Sequence, residues 1–258
     1  MPIFSVIIPT YNRAQLLTKA VSSIKKQTVS DFEIIIINDS KIPLPTSMFD
    51  DKRISIINSC REKGPAFCRN VGLKIAKGVY VSFLDDDDYF EPTFMQETRA
   101  TLKDSDSSIG MSWSGANFIQ GGHLTRVYSP TLPANDRQTL LDEFLSVGTG
   151  FGVTFKKDCL LQIGLFDESY RYIEDTELFI RALEHGYSPT HIPVQLINIF
   201  DHSNDRQTNI ENFSKRISEC RKLIESKPHF FNTNQRMKDQ IIWTIVDLES
   251  QLETKVIA

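Results

Sequence analysis

Short apolar runs alternate with stretches of helical period over the first ninety residues. Residues 3–8 read as a strand, and Asn12 stands where it can cap a helix whose apolar positions Leu16, Leu17, Ala20, Val21 and Ile24 share one face. Residues 33–37 and 54–58 read as further strands. Gly64-Pro65 then opens a helix with Phe67, Val71 and Ile75 spaced by four, and residues 79–84 form a fourth strand. This alternation predicts an α/β domain with a parallel sheet and helices on its faces.

After residue 84 the rhythm changes. A helix is predicted over 91–102, followed by strand-like pieces at 109–114, 116–119 and 124–128, with Gly121-Gly122 as a hairpin turn. Residues 130–150 carry Pro, Gly and polar punctuation around a short helix, which suits a mobile loop beside a site as well as ordinary surface structure. A strand at 151–155, helices at 156–163 and 176–185, and a strand at 191–200 follow. No linker or internal repeat interrupts the chain, so one domain is expected over 1–205, with a helical extension over 206–258.

Composition narrows the function classes. The chain has 258 residues, 40% hydrophobic and 24% charged, and a net charge of −4, which argues against a general electrostatic grip on nucleic acid. Cys60, Cys68, Cys159 and Cys220 show neither a CxxC pair nor ligand spacing with the histidines, and read as small, mostly buried thiols without a disulfide. The N-terminus lacks the basic region and long apolar core of a signal peptide, and no window approaches the ~20 apolar residues of a membrane span, so a cytosolic protein is expected.

The strongest chemical signal is the fourth strand running into Asp85-Asp86-Asp87-Asp88. Carboxylates crowded at the C-terminal end of a buried strand repel one another, and ligands of open α/β sheets bind in that crevice. A divalent cation such as Mg²⁺ or Mn²⁺ carrying a phosphate-bearing substrate fits; a solvated acidic turn capping the next helix is the plainer alternative. Neither G-x-x-x-x-G-K-[ST] nor G-x-G-x-x-G is present.

Four segments fall in order: Pro9-Thr10-Tyr11-Asn12-Arg13, Asn38-Asp39-Ser40, Asp85 to Asp88, and Glu174-Asp175. Together with Arg69-Asn70-x-Gly72 and Phe166-Asp167-Glu168, they make residues 3–200 resemble family 2 glycosyltransferases of the GT-A fold. The resemblance implies a Rossmann-like, mixed and mostly parallel sheet flanked by helices, with a nucleotide-binding half over 1–100 and an acceptor-binding half over 101–205. It implies an inverting, metal-dependent transfer of a sugar from a nucleotide diphosphate, UDP above all, to a hydroxyl of a glycan or lipid-linked glycan in bacterial surface polysaccharide assembly.

The same resemblance assigns the residues. Pro9, Thr10, Tyr11 and Arg13 would border the base, Asp39 would accept from a uracil-like N–H, and Arg69, Asp85 and Asp86 would lie by the nucleotide. Asn38 stands where many members carry a second Asp. Asp87 and Asp85 would hold Mn²⁺ or Mg²⁺, with His202 as a further ligand or phosphate donor and Arg206 as a diphosphate clamp. Asp175 matches the base that deprotonates the acceptor, with Glu174 beside it. Each has a plainer reading: an Asx-turn for Asp39, a surface ion pair for Arg69, and favourable placement at a helix N-terminus for Glu174 and Asp175. Trp113 and Phe151 would line the sugar or acceptor site, or belong to the core.

In the extension, Ile210, Phe213, Ile217, Cys220 and Ile224 form an apolar stripe, and Met237, Ile241, Ile245, Leu248 and Leu252 form another. Basic residues including Lys215, Arg216, Arg221 and Lys222 give 206–238 a local positive excess. Packing onto the enzyme's own core or a second subunit is favoured over peripheral contact with a membrane or a lipid-linked acceptor. A sugar nucleotidyltransferase and a non-catalytic nucleotide-sugar-binding module are the rival functions.

Overall fold

The computed structural model describes residues 1–130, 137–200 and 210–257. The chain begins with β1 (Phe4–Thr10), α1 (Ala14–Lys25), β2 (Phe32–Asn38), β3 (Ile54–Asn58), α2 (Pro65–Ile75), β4 (Tyr80–Phe83), β5 (Tyr89–Phe90) and α3 (Phe94–Lys103). The chain continues through β6 (Ile109–Gln120), β7 (His123–Tyr128), α4 (Arg137–Ser146), β8 (Thr154–Lys156), α5 (Lys157–Ile163), α6 (Glu174–Glu184) and β9 (Ser188–Phe200). Then come α7 (Phe213–Ser226), α8 (Pro228–Thr233) and α9 (Gln235–Ile257).

One mixed sheet runs in the order β3-β2-β1-β4-β8-β6-β9-β5, with β7 paired to β6. β1, β2, β3 and β4 are parallel, as is the long β6–β9 pair, while β8 lies antiparallel between β4 and β6. The chain moves outward from β1 to β3 and returns to place β4 on the other side of β1. The loops leaving β1 and β4 therefore diverge and leave a crevice between them, the position where such sheets take ligands.

Period-two alternation divides the core. Phe4, Val6 and Ile8 face α1 and α3 in one buried cluster, while Ile7 joins Ile35, Ile37, Val81 and Phe83 in the other, under α2, α5 and α6. On α2 a Cβ added at Gly72 would lie 2.6 Å from the Ile7 side chain, so the absence of a side chain there sets how closely the helix sits on the sheet.

Several expectations are corrected. Asn12 does not cap α1: the helix begins at Ala14 after Arg13 with no side-chain cap bond, and Asn12 adopts φ 56 with its N–H donating to the Ser40 hydroxyl at 2.8 Å. The pieces between 109 and 119 are one strand, because pairing with β9 carries β6 through its irregularities. Residues 151–152 lie in a turn and 153 precedes the strand, leaving only Thr154–Lys156 as strand, and α6 starts at Glu174 rather than Thr176. Three cysteines are buried, but Cys60 is exposed.

The C-terminal helices cover the domain. Phe213, Ile217, Cys220 and Leu223 of α7 and Met237, Ile241, Ile245 and Leu248 of α9 form a buried cluster with Tyr170, Ile173 and Ile180. Part of the basic excess meets carboxylates: Arg221 pairs with Glu249, Lys227 with Glu184, and Arg236 with Asp142, all at 2.6 Å. Packing of the two stripes onto the chain's own core is what the structure shows. No helix among the described residues is long and apolar enough to cross a membrane.

Candidate active site

At the end of β4 the four aspartates turn in different directions. Asp86 points inward, is 5% exposed, and accepts from the Thr10 hydroxyl at 2.6 Å and from Arg13 Nη1 at 3.4 Å. Burial pushes its carboxyl up to about 6, against the Thr10 bond and helped by the charge of Asp87. Asp87 accepts from Arg13 Nη1 at 2.9 Å, and Asp88 from the Phe200 N–H at 2.8 Å. These bonds stitch the loop after β1 and the end of β9 to the acidic turn. The Asp85 side chain, by contrast, is 43% exposed.

A second rim forms beyond β1 and β2. Asp39 is 3% exposed, with its carboxylate receiving the Ser59 hydroxyl and the Gly64 N–H, the latter at 2.8 Å. The departure at Asn38 has a structural reason: its amide donates to Ile42 O at 2.9 Å and to Asn58 Oδ1 at 2.7 Å, which a carboxylate cannot do. Tyr11 stands 48% exposed, its hydroxyl donating to Glu62 at 2.7 Å. Asn12, Cys60 and Glu62, with φ of 56, 55 and 52, occupy the left-handed region around this rim.

Arg69 bridges the end of β4 and the start of α6. It is 4% exposed, which rules out a surface ion pair. Nη1 donates to Glu174 Oε1 at 2.7 Å and Nη2 to Asp85 Oδ1 at 3.2 Å, while the guanidinium lies 5.9 Å and 5.6 Å from the ring centroids of Phe83 and Phe166. Burial opposes its charge, but Asp85, Glu174 and Asp175 outweigh that and hold the guanidinium above its ordinary value. Burial likewise pushes the Glu174 carboxyl up to about 7, opposed by Arg69 and reinforced by Asp175.

Asp175 sits in the first turn of α6. Oδ1 accepts from the Thr176 N–H at 2.8 Å and Oδ2 from the Thr149 N–H at 3.1 Å, so each oxygen is oriented by one backbone donor and retains capacity for another. A Cβ at Gly148 would lie 2.7 Å from Oδ2. The turn is closed by Phe151 N–H to Gly148 O at 3.0 Å and tied to β6 by Ser114 N–H to Phe151 O at 3.2 Å. A Cβ at Gly150 would lie 3.7 Å from Asp85 Oδ2 and 4.0 Å from Asp88 Oδ2. The Gly148–Gly150 turn therefore touches both acidic groups. Sequence reasoning saw only glycine punctuation there.

Trp113 is fully buried, its indole N–H donating to the Tyr128 hydroxyl at 3.0 Å, and belongs to the core rather than to a sugar pocket. Phe151 packs edge-on against Phe118 and Tyr128. His202 and Arg206 lie outside the described residues. For a divalent ion, the fit rests on hard oxygen donors at the sheet's C-terminal edge: the Asp85 side chain is 43% exposed and that of Asp87 11%, and Asp85 Oδ2 and Asp88 Oδ2 lie beside Gly150. Those residues suit Mg²⁺ or Mn²⁺. No three metal-ligating side chains converge among the described residues, so water and substrate oxygens would complete the shell.

Comparison with known proteins agrees with this geometry. The family model described as Glycosyl transferase family 2 matches residues 5–163. The Campylobacter jejuni GalNAc(5)-diNAcBac-PP-undecaprenol beta-1,3-glucosyltransferase is 30% identical over 210 residues, covering 78% of this chain and 66% of the relative. S. aureus TarS 1-349 in complex with UDP-GlcNAc superposes with a TM-score of 0.64 at 17% identity, over 96% of this chain and 72% of that one. In another TarS structure this chain spans 43% of the length. The Pyrobaculum calidifontis mannosyltransferase PcManGT, in complex with GDP-Man and Mn²⁺, gives 0.62 at 16% identity, over 100% of this chain and 76% of that one. The sheet order, the acidic turn at its switch point and the matched segment together place the chain in glycosyl transferase family 2, with the GT-A fold.

Proposed function

We propose that the protein transfers a sugar from a UDP-sugar to a hydroxyl of a lipid-linked or growing glycan, with inversion and with a divalent ion bound at Asp85 and Asp87. The observation that carries this reading is Arg69, which ties Asp85 on the donor side to the N-terminus of the helix bearing Asp175. Tyr11 offers an aromatic face to the base, and Asp39, held by Ser59 and Gly64, takes the imide N–H. When bound, the ion supplies Lewis-acid stabilisation of the leaving diphosphate. Asp175 removes the acceptor's proton as the hydroxyl attacks opposite the leaving group. Glu174, buried against Arg69, holds that arginine in place. The Campylobacter jejuni relative, named for an undecaprenol-linked acceptor, supports a place in surface polysaccharide assembly. Family membership removes the nucleotidyltransferase alternative.

Thermal melts test the donor side. UDP with Mn²⁺ is expected to raise the melting temperature, since a ligand bound only by the folded state stabilises it, and EDTA is expected to erase most of that rise. An unchanged rise in EDTA contradicts the role given to Asp85 and Asp87.

A further inference from the structure

The residues leading into the proposed base, 167–173, belong to neither a helix nor a strand, yet Asp175 can act only if they hold still. Asn70 of α2 reaches Glu168 at 2.9 Å, and α7 grips residues 169–172. Glu219 spreads its two carboxylate oxygens over two consecutive backbone donors, Oε1 to the Arg171 N–H and Oε2 to the Tyr172 N–H, both at 2.8 Å. One turn on, Lys222 Nζ donates to Ser169 Oγ at 2.7 Å and to Ser169 O at 3.2 Å. Tyr170 and Ile173 are buried in the cluster that α7 and α9 build. A carboxylate receiving two backbone N–H groups forms charge-assisted bonds at fixed spacing and so sets the direction of the chain it grips.

From these contacts we propose that Glu219 is a positioning residue for glycosyl transfer: it fixes the segment that presents Asp175, making the C-terminal helices part of the active site. The inference rests on the function proposed above. Glu219 touches none of Thr10, Asp39 or the acidic turn, so it acts on turnover and leaves donor binding alone. The matched family segment ends at residue 163, before this clamp begins.

The test compares Glu219→Gln, Glu219→Asp and, as control, Arg221→Gln, which removes the α7–α9 pair with Glu249 on the same helix. Readouts are UDP release from UDP-glucose and UDP-GlcNAc, with water taking the sugar in place of the acceptor, affinity for UDP with Mn²⁺, and hydrogen exchange. A glutamine can accept from only one of the two N–H groups and turns its own NH₂ toward the other. Glu219→Gln is expected to lower kcat by about ten- to a hundredfold, the scale of a misplaced catalytic group, with UDP affinity within about twofold. Glu219→Asp recovers part of the loss, and Arg221→Gln keeps wild-type kcat. The Arg171 and Tyr172 amides lose exchange protection in Glu219→Gln while those of β1 and β4 keep theirs. Equal loss of kcat in Glu219→Gln and Arg221→Gln, or retained protection at both amides, overturns the proposal. If the wild type releases no UDP from either donor, the exchange arm alone decides whether Glu219 holds the segment; if it also binds no UDP with Mn²⁺, the proposed function is at fault instead.

Discussion

Asp175→Asn is expected to abolish sugar transfer while leaving UDP binding intact. A positioned general base contributes on the order of 10²- to 10⁴-fold, and the amide cannot take a proton at working pH, so kcat should fall by that range. The substitution keeps the side-chain volume. It does remove one acceptor, because the Thr149 and Thr176 N–H groups address both carboxylate oxygens and an amide presents only one. The cost in stability is therefore that of about one hydrogen bond, about 1 kcal/mol, too small to unfold the domain. Steady-state rates and UDP titrations on the same preparation separate the two effects. A kcat within a few-fold of wild type assigns the base elsewhere, and binding without any turnover in the wild type itself marks a non-catalytic module.

Arg69→Met is the second large effect, and it appears first in stability. Removing one partner of a buried ion pair leaves the other uncompensated, at a cost of roughly 3–5 kcal/mol. Here the orphan is Glu174, 4% exposed; Asp85 remains accessible to water. The loss depends on pH with a definite sign. Glu174 has its folded pKa raised from 4.5 to about 7, so between those values the folded state holds more protons than the unfolded chain and stability falls as pH rises. Arg69 opposes that rise, and without it the folded pKa climbs further. The deficit of Arg69→Met relative to wild type should accordingly be small near pH 5 and grow toward pH 8. Adding Glu174→Gln should flatten this growth. Denaturant melts across that range check it; a deficit independent of pH shows that Glu174 is not the group left uncompensated. Turnover should fall as well, since Asp85 and the N-terminus of α6 lose their common tie.

Much of this was legible in the sequence where the physics is local. β1 and β2 are covered on both faces, so they read as near-continuous apolar runs, and the acidic turn announces itself at the end of β4. The helix opened by Gly64-Pro65 is equally plain, because Pro is tolerated at a first helical turn. Asn12 looked like a cap because its residue type suits one, but the Ser40 hydroxyl claims its N–H and turns the backbone left-handed. β8, with three residues, is too short to carry a period. The burial of Arg69 could not be seen, since its partner Glu174 is 105 residues away. Nor could the grip of Glu219 on Arg171, 48 residues apart, or the seat that Gly148 makes for Asp175. Sequence patterns report which face of an element is apolar; they do not report which distant loops that element brings together.

Manganese binding in the presence of UDP tests the central claim most directly. Electron paramagnetic resonance counts free Mn²⁺, and its loss on titration with protein and UDP reports the ternary complex. Wild type is expected to take up a single ion far more tightly with UDP than without it, because the diphosphate supplies oxygens that the aspartates alone lack. Asp87→Asn and Asp85→Asn should each weaken that uptake sharply. UDP-dependent uptake that survives both substitutions, or UDP binding by the wild type that recruits no manganese, contradicts the account.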